Sequence, residues 1–264
     1  MFQSPGAIAL ELGPLMIRWY GIMIVTGIVC AYFLSRHLAR KRGIDPLHIE
    51  NMALWLVLIG VIGARLYYVL FNLSFFLEHP LDIVKIWNGG LAIHGGLIAG
   101  ALTFFWYCKK HNISLLNGAD VLAPGLILAQ AIGRWGNFFN SEAFGSPTNL
   151  PWKVFIPVDA RPSQFKDIEY FHPTFLYESL WNLLVFVLLM ILFRSSYGKK
   201  HPGTLLFVYM IAYSIGRFFI EGLRTDSLYI GPLRTAQVVS LILCAAGIIG
   251  LILIRKRHSI KDTF

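Results

Sequence analysis

The stretch Gly133-Arg134-Trp135-Gly136-Asn137-Phe138-Phe139-Asn140-Ser141-Glu142-Ala143-Phe144-Gly145 follows directly on an apolar run, Val121 to Ile132. A hydrophobic segment thus ends in an arginine, two asparagines, a glutamate and three glycines. Placing an arginine in a bilayer costs roughly 3 kcal/mol on insertion scales. Such a residue either meets an anion or carboxylate or snorkels to the headgroups. Other polar residues interrupt apolar runs in the same way. Gln130, Arg134 and Asn137 share one helical face, as do Tyr213, Arg217 and Glu221. Arg65 lies inside another run, and His94 stands between Gly89-Gly90 and Gly95-Gly96. Two arginines can grip a phosphate bidentately, glycines allow close approach, and an imidazole moves protons near neutrality. No serine or cysteine sits in a nucleophile arrangement, and no cluster has metal-ligand spacing. The protein would supply charge and acid–base help, and its substrates the reacting groups.

Each of these residues also has a plainer reading. Arg65 suits a structural pair with a carboxylate, and Arg217 with Glu221 suits a simple i, i+4 ion pair. His94 suits a packed helix start, and Tyr20, Trp19 and Tyr177 an interfacial aromatic belt. Asn137 and Asn140 suit hydrogen bonds between helices. Glu178 is an acceptor with no readable purpose.

The elements that must position these groups are membrane helices. Of 264 residues, 56% are hydrophobic and only 14% charged, and the mean hydropathy is +0.62. Soluble domains carry about 25% charged residues. The sequence predicts an all-α, polytopic integral membrane protein with a single transmembrane domain. Seven spans are expected, at 15–35, 49–71, 89–107, 120–138, 175–194, 203–221 and 235–254. The third is Gly-rich, and the fourth contains Pro124, which helix neighbours can accommodate. Cys30, Cys108 and Cys244 suggest neither a disulfide framework nor a metal site. The first residues lack a basic n-region and a cleavage site, so no removable signal peptide is expected.

Lysine and arginine crowd one set of loops: Arg36, Arg40, Lys41 and Arg42; Lys109 and Lys110; Arg194, Lys199 and Lys200; Arg255, Lys256, Arg257 and Lys261. The opposite set has fewer: Lys85, Lys153, Arg161, Lys166, Arg224 and Arg234. The basic side is expected to be cytoplasmic, the N-terminus outside and the C-terminus inside. The net charge of +9 is thus largely a topology signal, and no nucleic-acid motif accompanies it. The segment 139–174 becomes an extracytoplasmic loop long enough for a functional role. Arg18, Arg65, His94, Arg134 and Arg217 then all fall in the outer half of the bilayer. Snorkelling alone would decorate both ends. The residues themselves therefore point to a site for an anionic lipid at the outer leaflet, with the reaction left open. A transporter or flippase and a non-catalytic lipid binder are the alternatives. The one-sided polar ring argues against alternating access, and no pair of broken helices is evident.

The spacing G-R-x-G-N-F-x-N-x-E-x-x-G of 133–145 resembles the signature of bacterial prolipoprotein diacylglyceryl transferases. Arg18-Trp19-Tyr20-Gly21, Gly63-Ala64-Arg65-Leu66, Trp87 to Gly96, His172 to Glu178 and Tyr213 to Glu221 resemble the same family. The resemblance covers most of the chain. It implies an inner-membrane enzyme that moves the diacylglyceryl group of phosphatidylglycerol to the lipobox cysteine thiol of a preprolipoprotein. Glycerol 1-phosphate would leave, and no cofactor is implied. With the residue reading, this makes Arg134 and Arg217 the phosphate clamp and His94 the helper of thiol deprotonation. Tyr20 and Tyr213 would position lipid or phosphate, and Asn137 and Gly145 shape the headgroup pocket. Glu142 and Glu221 would orient the arginines, and Arg65 and Asn140 complete the expected substrate-binding set.

Overall fold

The computed structural model describes residues 2–13 and 15–261, without the side chains of Leu15, Asn88 and 257–261. The Arg257 and Lys261 side chains of the basic tail therefore lie outside the described set. In chain order the helices are α1 (Trp19–Lys41), α2 (Pro46–Phe71), α3 (Leu73–Glu78), α4 (Ile93–Lys110), α5 (Leu115–Phe139), α6 (Thr174–Arg194), α7 (Ser196–Lys200), α8 (Thr204–Glu221) and α9 (Thr235–Lys261). The strands are β1 (Phe2–Gln3), β2 (Ile8–Leu12), β3 (Leu15–Arg18), β4 (Val154–Phe155), β5 (Tyr170–Phe171), β6 (Tyr229–Ile230) and β7 (Leu233–Arg234).

The chain is a polytopic, mostly helical membrane protein. Among the described residues, six helices are long and apolar enough to cross a membrane: α1, α2, α5, α6, α8 and α9. The third of the seven expected spans is not among these six. The stretch expected at 89–107 starts as a helix only at Ile93 and ends in Lys109-Lys110, with His94 in its first turn. Those polar ends and its glycines lower its hydropathy, although its 18 residues reach roughly 27 Å. The first expected span also starts late, because 15–18 are strand β3, paired with β2.

The helices form two compact groups. One comprises residues 36–118, the other the chain up to Ser35 together with Ala119 onward. In the smaller group α2 and α4 run antiparallel with backbones in close approach. A β-carbon on Gly96 would lie 3.4 Å from the Gly60 carbonyl oxygen, and Ala92 N–H donates to Ala64 O at 3.0 Å. Asp45 caps α2 by accepting from Leu47 N–H at 2.9 Å, with Pro46 at the first helical position.

In the larger group α5 is central. It runs unbroken through Pro124 and packs against α1 through small residues. Gly136 faces the Tyr20 ring, Ala129 faces Gly27, and Gly125 faces Ala31 and Ser35. The two helices are therefore antiparallel. Ser179 of α6 donates to Ala131 O at 2.9 Å, and Trp181 donates to Ala212 O of α8 at 2.8 Å. Gly247 and Gly250 of α9 lie against Phe207 of α8. This weave gathers the start of α1, the end of α5, the start of α6 and the end of α8 at one end. At the far end buried Asp120 accepts from Gly203 N–H at 2.8 Å and Leu206 N–H at 3.0 Å, capping α8 from another helix.

The segment between α5 and α6 is a folded cap, not an open loop. Strands β1, β4 and β5 form a sheet, β1–β4 parallel and β4–β5 antiparallel. Phe144, Val154, Ile156, Phe171 and Phe175 form its apolar core. Arg161 donates to Ile156 O and Lys166 O, both at 2.8 Å, so its charge serves the cap's own main chain.

Candidate functional site

Four chain segments of the larger group bring their charged residues together. Glu178, in the second turn of α6, lies at the centre and is 3% exposed. One carboxylate oxygen is 2.6 Å from Arg134 Nη2 of α5. The other is 2.7 Å from Arg217 Nη1 of α8 and 3.8 Å from Arg224 Nη1, just past α8. Arg217 Nη2 reaches Glu221 at 2.7 Å, one helical turn on. Arg224 grips Asp226 with both arms of its fork, at 2.9 and 2.8 Å. The result is an alternating chain of guanidiniums and carboxylates.

The depth of each group matters. The arginine side chains are 21%, 16% and 13% exposed for Arg134, Arg217 and Arg224, against 4% for Glu178 and 5% for Glu221. The carboxylates are thus almost fully buried, while the arginine side chains that meet them stay partly exposed. Among the described residues Arg134 uses only Nη1 and Nη2, leaving donors of its five N–H groups for a ligand. Such a surface suits a phosphate.

Outside the spans, the charges of this network leave a clear signature. Burial alone would pull the Arg224 guanidinium down, but its bond to Asp226 and the charges of Asp226, Glu178 and Glu221 outweigh it and raise it. Burial likewise pushes the Asp226 carboxyl up. The Arg224 bond and charge, with Arg217 beyond, win and hold it below the usual carboxylate range. Arg234 Nη1 donates to the Glu221 and Arg224 carbonyls, tying hairpin β6–β7 to the same cluster.

The signature stretch wraps one flank of this cluster. Arg134 Nη1 reaches Asn137 Oδ1 at 3.5 Å, and Asn137 Nδ2 donates to Glu142 Oε1 at 2.9 Å. Glu142 is thus linked to Arg134 through Asn137. Glu221 does meet its arginine directly. Ser141 and Ala143 both have left-handed backbone, φ 52° and 55°, a conformation that strains side chains with a β-carbon. It turns the chain back so that Thr174 Oγ1 can donate to Ala143 O. Asn140 keeps a buried Oδ1 with no partner among the described residues. Tyr20 stands over Gly136, within the fields of Glu142 and Arg134. Tyr213 stacks on Tyr209, ring centroids 5.8 Å apart, and Tyr209 exchanges hydrogen bonds with Gln130 at 3.0 and 3.3 Å.

Gly145 is tightly packed on the side where a side chain would stand. A β-carbon there would meet His172 Cβ at 2.8 Å, Thr174 Cγ2 at 3.0 Å and Leu223 O at 3.1 Å. It bridges to Arg224 across an antiparallel contact, so it fixes where the arginine loop passes the signature loop.

The remaining two expected residues lie in the smaller group. Arg65 is buried and donates to main chain rather than to a carboxylate. Nε reaches Ile83 O at 2.9 Å, Nη1 reaches Gly89 O at 2.7 Å and Gly90 O at 2.8 Å, and Nη2 reaches Asp82 O at 2.6 Å. Gly89 and Gly90, at φ 89° and 75°, turn both carbonyls onto it. Arg65 thus clamps the 82–90 loop. His94 is exposed in the first turn of α4, 6.0 Å from the Tyr67 ring; it is not a packed helix-start residue.

Sequence reasoning missed the part played by Glu178, read Arg224 and Arg234 only as loop charges, and did not single out Asp226. The signal for Arg224 was present: Tyr213, Arg217, Glu221 and Arg224 continue one helical face past the end of α8. For Glu178 nothing local shows which helix its carboxylate meets.

Comparison with known proteins gives a consistent picture. The family profile described as prolipoprotein diacylglyceryl transferase matches residues 7–253. A phosphatidylglycerol–prolipoprotein diacylglyceryl transferase of Nostoc sp. is 53% identical over 274 aligned positions, covering 100% of this chain and 97% of the relative. Relatives bearing the same name from Thermosynechococcus vestitus and Acaryochloris marina are 57% and 51% identical, covering 95% and 100% of this chain and 92% and 96% of their own lengths. Full-length similarity at this level, together with the signature stretch folded around an arginine cluster, means that the chain belongs to the prolipoprotein diacylglyceryl transferase family.

Proposed function

We propose that this protein transfers the diacylglyceryl group of phosphatidylglycerol to the lipobox cysteine of a preprolipoprotein, at the Arg134–Arg217 cluster. The observation that carries this reading is the order of exposure: partly exposed arginine side chains paired with almost fully buried Glu178 and Glu221. That arrangement presents preorganised charge to a phosphate without spending it on solvent. The named relatives act on the same lipid and protein substrates by their names.

The chemistry asks for charge and a base rather than a protein nucleophile. The cysteine thiol, mostly protonated at neutral pH, gives its proton to a base; the candidate for it, His94, is nominated by the sequence alone. The thiolate sulfur attacks the glyceryl carbon that bears the phosphate ester. A C–S bond forms, the C–O bond breaks, and its electron pair leaves on the phosphate oxygen of glycerol 1-phosphate. Arg134 and Arg217 take up the charge that builds there. Tyr20, Tyr213 and the unsatisfied Oδ1 of Asn140 are the candidates for orienting the lipid. Arg65 serves by holding the 82–90 loop.

The protein is a multi-pass membrane protein. We place its N-terminus outside, its C-terminus in the cytoplasm of a bacterial cell and its arginine cluster towards the outer leaflet of the plasma membrane, with α4 as a seventh crossing. The lysine and arginine bias of the loops supports this orientation, and the outer leaflet is where a secreted preprolipoprotein meets the lipid. The test is an intact-mass assay with purified protein, phosphatidylglycerol and a lipobox-cysteine peptide. The expected result is a peptide heavier by one diacylglyceryl group, with none formed on a Cys→Ser peptide or by Arg134→Ala and Arg217→Ala variants recovered folded from the membrane. Binding of lipid without any adduct would favour a transporter or scaffold instead.

A further inference from the structure

The arginine cluster contains more carboxylates than a phosphate clamp requires. Arg134, Arg217, Arg224 and Arg234 are matched in number by Glu142, Glu178, Glu221 and Asp226, each bound within the same network. A site built only to hold an anion would leave arginine in excess. The one group shared by two guanidiniums at 2.6 and 2.7 Å, with a third at 3.8 Å, is Glu178. It comes from α6, whereas these three arginines come from α5, from α8 and from the segment after α8.

The reaction gives that excess a purpose. The substrate is a phosphodiester with one negative charge. The leaving group is a phosphate monoester with about −1.5 to −2 charge at pH 7, its second pKa being about 6. A clamp complementary to the developing charge binds the departing product more tightly than the substrate. An unbalanced clamp therefore traps its own product.

We infer that Glu178 is a positioning residue that sets product release: its buried charge fixes the two guanidiniums and limits the cluster's hold on the dianionic leaving group. This rests on the transferase reading above. Replacing the carboxylate by an amide keeps one acceptor oxygen, takes from the second guanidinium its bond to residue 178 and shifts the balance by one positive charge. Both lipid and product should then bind more tightly, the product more so. A purely structural Glu178 predicts the opposite, since misplaced arginines weaken both.

The experiment measures steady-state transfer to a lipobox peptide by the full chain in detergent, with glycerol 1-phosphate added as inhibitor. For Glu178→Gln the inhibition constant should fall about tenfold or more, as one unbalanced charge a few ångströms away implies even at an effective dielectric near 20. The KM for phosphatidylglycerol should fall less, and kcat should drop as release slows. Glu178→Asp keeps the charge but is too short to span both arginines; its kcat should fall with product inhibition like the parent's. A parallel measurement needs no variant. In the parent, lowering the pH from 8 to 5.5 leaves only about a quarter of the product as dianion, so a site that binds the dianion alone would lose about fourfold, whereas a charge-balanced cluster should weaken its inhibition by less than about twofold. Unchanged or weaker product inhibition in folded Glu178→Gln overturns the inference while leaving the transferase reading intact, as does a pH effect of about fourfold in the parent. A parent that forms no thioether overturns both.

Discussion

Gly145 and His172 touch so closely that a β-carbon on the glycine would lie 2.8 Å from His172 Cβ. The neighbours on the other sides are Thr174 Cγ2 and the Leu223 carbonyl, and two main-chain bonds lock the crossing, Gly145 N–H to His172 O at 2.9 Å and Ser146 N–H to Leu223 O at 2.7 Å. Leu223 precedes Arg224, so a push at Gly145 moves the third arginine. Gly145→Ala is expected to cost about 1–3 kcal/mol by overpacking and to lower kcat far more than stability. Melting temperature and turnover of the same preparation check this. A variant with parental turnover would show that the crossing does not position Arg224.

Arg217 lies between two buried carboxylates. Arg217→Ala leaves Glu178 short of one partner and Glu221 short of its nearest cation, and breaking such a pair typically costs about 3–5 kcal/mol. Loss of activity in that variant alone would therefore confuse folding with chemistry. Arg217→Met combined with Glu221→Gln removes both charges of the i, i+4 pair. It should recover most of the melting temperature and none of the transfer. Activity in the double variant would exclude Arg217 from the clamp.

Much of this site was legible in the sequence because it is written in helical periods. Gln130, Arg134 and Asn137 do share a face of α5, and Arg217 and Glu221 do pair. Span limits followed from apolar length, save where backbone pairing intervened: β2–β3 delays α1, and the loop on Arg65 delays α4. The role of Glu178 depends on which helices neighbour α6, and no local period encodes that. The cap was legible only as a polar, Pro-containing loop. Its sheet joins β1, at the chain's start, to β4 and β5 after α5, a pairing too distant in sequence to read from pattern.

Arg65 and Gly90 give a test independent of catalysis. A β-carbon on Gly90 would lie 2.5 Å from Arg65 Nη1 and 2.7 Å from the Tyr68 ring, at a φ of 75° that disfavours any side chain. Gly90→Ala should release the 82–90 loop from its clamp. Hydrogen exchange of that loop should quicken by an order of magnitude or more, with exchange in α5 and α6 unchanged. Unaltered loop protection would show that Arg65 does not hold it.

His94→Gln probes the proposed base. Turnover should fall, most at low pH, where the thiol is least ionised and depends most on a proton acceptor. A pH–rate profile superimposable on the parent's would exclude His94 from that role. The arginine cluster should stay intact in this variant, so affinity for glycerol 1-phosphate should not change.

His172 offers a pH signature of the cap. Its ring is half-buried, with Nδ1 3.2 Å from Tyr177 Oη, which also accepts from Trp152 Nε1 at 2.8 Å. Burial holds the His172 imidazole below its ordinary value. The folded state therefore binds fewer protons than the unfolded state as pH falls below about 6.5. By linkage, stability declines with acidification through that range and is complete above it. The melting temperature should fall from pH 7 to pH 5, and His172→Gln should flatten that slope while leaving the value at pH 7.5 nearly unchanged. A variant that keeps the full slope would assign it to other groups.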